Sequence, residues 1–111
     1  MKLVFFVLND VTKLDEFLHS LKENGIHGAT IISSSGMARK LIENDDMKFI
    51  GSLKALFDNP RVESEVIMMV VEDGQVETVY QVINDSIGDL SQPNTGIAFT
   101  VPIENVKGYK C

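Results

Sequence analysis

The chain has 111 residues, 44% hydrophobic and 23% charged, which is ordinary for a globular protein and long enough to bury a core without disulfides or metal. A formal net charge of −6 and a pI near 4.7 argue against a nucleic-acid partner and against an anionic membrane surface, since both need a basic face. The lone cysteine, Cys111, leaves no intramolecular disulfide and fits a reducing compartment.

The first apolar run, Leu3 to Leu8, is far too short to span a bilayer and reads instead as a strand covered on both faces or central in its sheet. No membrane insertion is expected, and a cytoplasmic location follows. Thr12, with Asp15 three residues on, has the spacing of a capping box. Leu14, Phe17, Leu18 and Leu21 then form the stripe of an amphipathic helix, which Asn24-Gly25 closes. Thr30-Ile31-Ile32 opens a second strand that runs into Ser33-Ser34-Ser35-Gly36.

The pattern then repeats. Val66 to Val71 is a third apolar run, and Asp73 is placed to cap a helix whose stripe is Val76, Val79, Tyr80, Ile83 and Ile87, with Gly88 as its stop. After a polar stretch from Asp89 to Thr95, Ile97 to Val101 reads as a fourth strand, ended or edged by Pro102. Two strand–helix–strand units in series predict an α+β, ferredoxin-like domain covering residues 1–111. The right-handed crossover rule puts both helices on one face of a four-stranded antiparallel sheet. The other face stays apolar in sequence, so a second copy of the chain is its simplest cover.

Between the halves lies an insertion, residues 35–64, longer than an ordinary connection and therefore a functional candidate. Within it Phe49, Ile50, Leu53, Leu56 and Phe57 have helical spacing and stop at Asp58-Asn59-Pro60. That predicts a short amphipathic helix, packed on its own domain or docked on a neighbour.

Four segments resemble one family. Met1-Lys2-Leu3-Val4, Gly25-Ile26-His27-Gly28-Ala29-Thr30, Ser35-Gly36-Met37-Ala38-Arg39 and Val101-Pro102-Ile103-Glu104-Asn105-Val106 follow the order and spacing of the PII (GlnB-like) nitrogen regulatory proteins. The resemblance implies a signalling protein with no catalytic residues, assembled as a homotrimer with its sheets inside. It also implies an adenine nucleotide (ATP, ADP, AMP or a relative) or another small anionic effector in clefts between subunits. Residues 35–64 would be the T-loop that engages a protein target, and residues 89–96 the phosphate-cradling B-loop. Transferred to this sequence, the effector-binding set is Thr30 on the adenine side, Gly36, Met37, Ala38 and Arg39 at the T-loop entrance, Gly96 in the B-loop, and Lys110 from the tail.

The departures from the pattern are specific. Ile97 stands where the B-loop lysine belongs, and Gly108 and Lys110 stand where the family has an arginine pair. Lys40 replaces a glutamine, which weakens the case for Mg-ATP with 2-oxoglutarate, and no loop tyrosine is present for uridylylation. The related CutA architecture, a structural or metal-tolerance trimer without nucleotide binding, is the alternative.

Some side chains around this set can add charge or donors, and the rest read as structure. Arg39 and Lys40 can clamp an anion, and Lys107 can add charge to the same cleft. Ser33, Ser34 and Ser35 offer hydroxyl donors there. His19 and His27 are too far apart in sequence, with Cys111, to assemble a zinc set. Glu43, Asp45 and Asp46 lack the alternation of a calcium loop. No nucleophile elbow, Walker A, H-E-x-x-H or C-x-x-C is present, which favours binding over catalysis.

Overall fold

The computed structural model describes residues 1–35, 63–93 and 95–109. Strand β1 (Lys2–Leu8), helix α1 (Leu14–Glu23) and strand β2 (Thr30–Ser34) form the first half. Strand β3 (Ser64–Val71), helix α2 (Val76–Ser86) and strand β4 (Gly96–Pro102) form the second. The strands are antiparallel in the order β2-β3-β1-β4, which is the ferredoxin-like arrangement expected from two such units. The expected helix around Phe49 to Phe57 lies outside the described residues.

The two faces of the sheet differ because side chains alternate along each strand. Val4, Phe6 and Leu8 of β1 and Ile67, Met69 and Val71 of β3 point to the helices and are buried. Phe17 and Leu21 of α1, with Val79, Val82 and Ile83 of α2, complete that core. Phe6 and Phe17 meet edge-on, with ring centroids 5.2 Å apart. Val82 extends the α2 stripe beyond the spacing expected from sequence.

The opposite face follows from the register. Val7 lies between Val66 and Ile97, Phe5 between Met68 and Phe99, and Leu3 between Val70 and Val101. Ile32 extends the first row and Thr30 the second. Among the described residues no helix covers these rows, and Phe99, Ile97, Val101 and Ile32 remain 38–59% exposed. Rings of Phe5 and Phe99 stack at 4.9 Å in the middle of the face. Among the described residues the expected apolar second face is therefore uncovered.

Helix α1 closes as expected. Gly25, at φ +85°, lets its own N–H reach Lys22 O and that of Ile26 reach Leu21 O, the paired bonds of a Schellman cap. The starts differ from expectation. Each helix is entered through one 3₁₀ turn, Val11–Lys13 and Asp73–Gln75, which moves the capping residue upstream. Asp10, not Thr12, supplies the first cap: its carboxylate accepts from both the backbone N–H and the hydroxyl of Thr12. Glu72, not Asp73, supplies the second, in a reciprocal capping box with Gln75.

Asp73 instead receives the N-terminal ammonium of Met1 at 2.9 Å. The hydrogen bond and the charge of that ammonium hold its carboxyl below the usual aspartate value. A depressed folded-state pKa contributes stability above the unfolded value, near pH ~3.9, and loses it as pH falls through the folded value. Asp73→Asn should therefore lower the urea midpoint at pH 7, and the gap to the parent chain should close on acidification below that range. The pair is exposed, so the effect is small; urea melts at matched pH measure it.

Candidate functional site

Thr30 is the first residue of β2, an edge strand, and pairs with Met68. Because β2 begins there, β3 runs on past it to Val71 without a strand partner on that side. The 25–30 connection peels away, and a cavity of about 750 Å³ opens between it, the end of β3 and residues 108–109. That size suits a small-molecule ligand. Met68 and Val70 give it an apolar wall, while His27, Thr30, Glu72 and Tyr109 bring hydrogen-bonding groups. The described residues that line it include no lysine or arginine.

Gly96 sits at the head of β4, on the opposite edge of the sheet, paired with Leu8. Two strands separate it from Thr30, so at about 4.8 Å per strand the two are at least ~14 Å apart across the sheet. A Cβ on Gly96 would lie 2.1 Å from Val7 O. Its lack of a side chain is thus required by close strand packing, whatever it binds. Ile97, at the lysine position, is the most exposed of the large apolar residues among those described.

The turn before Gly96 is internally bonded. The carboxylate of Asp89 accepts the N–H of Ser91 at 2.9 Å, and hydrogen bonds from Ser91 hold its pKa below the usual value. A fixed negative charge therefore stands at the mouth of the stretch expected to cradle phosphate, a feature that sequence reasoning passed over. The expected serine donors are also engaged. Ser33 reaches Glu65, and Ser34 reaches Ser64 O at 3.3 Å. His19 pairs with Glu23 at 3.2 Å on the exposed side of α1, and Lys107 is exposed.

Of the expected effector-binding residues, then, Thr30 and Gly96 are placed, on opposite edges of the sheet, and the protomer does not bring them together. Gly36, Met37, Ala38, Arg39 and Lys110 lie outside the described residues, as do Lys40 and the acidic group of Glu43, Asp45 and Asp46. Met68, Val70 and Tyr109 were missed. Their signal was the register of β3 against a short β2, which sequence periodicity does not carry.

The family model for nitrogen regulatory protein P-II matches residues 1–110. The chain belongs to the P-II family. No curated protein matches it. Of the two related architectures weighed from sequence, this match sides with P-II and not with CutA. P-II proteins are signal transducers and not enzymes, so the chain has a signalling or regulatory role. The family is typically trimeric and effector-binding. Among the described residues, no helix is long and apolar enough to cross a membrane.

Proposed function

We propose that this P-II protein works in the cytoplasm as a homotrimer that binds a small anionic effector, an adenine nucleotide or a relative, between subunits. The observation that carries the reading is the separation of Thr30 from Gly96. One chain holds the two residues that the resemblance groups on opposite sheet edges, while its apolar sheet face calls for further copies. Packing those faces together brings the Thr30 edge of one subunit toward the Gly96 edge of the next, so assembly and site formation are one event. The positive charge for an anion comes from Arg39 and Lys110, with Gly36, Met37 and Ala38 supplying backbone at the entrance. Residues 35–64 then address a protein target, and the effector controls them by binding one of their states more tightly than the other.

The described half of the site favours few phosphates over many. The described cavity wall by Thr30 carries no lysine or arginine, Ile97 replaces the lysine, and Asp89 adds a negative charge at the start of the 89–96 stretch. Titration calorimetry of the trimer with ATP, ADP, AMP and cyclic nucleotides tests this directly. The monophosphate or cyclic forms should bind at least as tightly as ATP, and Arg39→Ala should weaken binding about tenfold or more, the worth of a charge-assisted pair. Absence of heat from every nucleotide would remove the effector from the reading and leave the assembly.

A further inference from the structure

Ser64 is the one buried polar residue among those described, 8% exposed at the start of β3. Its hydroxyl donates to Oδ1 of Asn9 at 3.1 Å, and its carbonyl accepts the hydroxyl of Ser34, the last residue of β2, at 3.3 Å. The backbone N–H of Asn9 donates to Thr95 O at 3.2 Å. The Thr95 hydroxyl in turn shares its proton between Leu90 O at 3.1 Å and Gln92 O at 2.8 Å. A single chain of hydrogen bonds therefore crosses one end of the sheet. It joins the 89–95 turn to the ends of β2 and β3.

We infer that this chain is a mechanical coupling, with Asn9 as its positioning residue. The links run in series, so a shift of the residues bonded to the Thr95 hydroxyl moves Thr95, and Thr95 moves Asn9 through a backbone bond. Asn9 then holds or releases Ser64 through its side-chain oxygen. Low dielectric around Ser64 strengthens the central link and penalises leaving it unmade. The ends of β2 and β3 are where residues 36–62 leave and rejoin the sheet, so the turn beside Gly96 and the stems of the central segment share one free energy. Coupling of this kind is reciprocal. It rests on the proposed function for its biological use, but it is a property of the ligand-free protein and is tested without any effector.

Amide hydrogen exchange on the intact protein reads it. Thr95→Val removes the hydroxyl and keeps the shape. It should speed exchange of the amides at Ser34, Ser35 and Glu65 by about two- to tenfold, the range for one net hydrogen bond. In the other direction, Ser64→Ala should speed exchange at Ser91 and Gln92. Asn9→Ala should uncouple the two ends, so that adding Thr95→Val to it no longer affects Ser34, while Asn9→Asp, which keeps the acceptor, restores the effect. The inference fails where Thr95→Val leaves Ser34 to Glu65 unchanged. It fails equally where its effect is the same with and without Asn9→Ala, since the signal would then pass through the sheet and not through the relay.

Discussion

Phe99→Glu should reduce the solution mass from three protomers to one, the 12.3 kDa chain, while far-UV circular dichroism stays that of the parent. Phe99 stands in the central row of the open face, stacked on Phe5 at 4.9 Å and 45% exposed. Within one protomer a glutamate there can turn to water, so the core of Phe6, Phe17 and Ile67 on the other face is untouched. In an assembly that buries the face, three carboxylates would be taken out of water together. Each costs several kcal/mol when unpaired, on top of lost aromatic stacking worth about 0.5–1.5 kcal/mol. Phe99→Leu keeps the face apolar and should keep the mass. Light scattering at micromolar concentration decides between them. A Phe99→Glu protein that retains the parent mass would show that the open face is not the contact, and the site between subunits would lose its basis with it.

That prediction was readable from sequence because long, unbroken apolar runs are a strong signal of strands with both faces to cover. Leu3 to Leu8 and Val66 to Val71 are apolar at every position, and once the helices of the two strand–helix–strand units cover one sheet face, the other is left over. The helices were legible for a similar reason, through Phe17 and Leu21 in one and Val79 and Ile83 in the other. Their entries were not. Thr12 and Asp73 sit at good capping distances from the helical stripes, but a 3₁₀ turn precedes each helix, and the caps are Asp10 and Glu72. Three residues of tighter winding displace the orphan N–H groups by one turn, and nothing in the hydrophobic pattern records this.

The site was less legible than the fold, for a geometric reason. Thr30 and Gly96 were read as members of one cleft because the resemblance groups them. Strand order alone separates them, since β2 and β4 are the two edges of the sheet. The cavity near Thr30 arises from a mismatch in length, with β2 pairing only as far as Met68 while β3 continues to Val71. Such a mismatch depends on register, which a single sequence fixes weakly when both faces of a strand are apolar. Tyr109 enters the cavity only because the tail crosses the end of the sheet, where Ile103 N–H meets Met1 O at 3.2 Å.

Gly96→Ala should be the most damaging glycine-to-alanine substitution among the described residues, lowering stability by about 3 kcal/mol or more. Two causes act together. The backbone holds φ at +146°, a region that side chains rarely enter, and the added Cβ would meet Val7 O at 2.1 Å and the Phe6 ring at 3.2 Å. Val7 cannot yield, because β1 is central and its backbone is committed to β3 and β4 on both sides. Gly74→Ala is the matched control, with no atom within 4 Å and no positive φ, and should unfold near the parent urea midpoint. The same comparison bears on function. A glycine at the head of β4 is the part of the B-loop pattern that this sequence retains, yet strand packing alone demands it, so its presence is no evidence for a phosphate cradle. Should Gly96→Ala unfold with the parent midpoint and an unchanged m-value, the packing account would be wrong, and the glycine would again need a ligand to explain it.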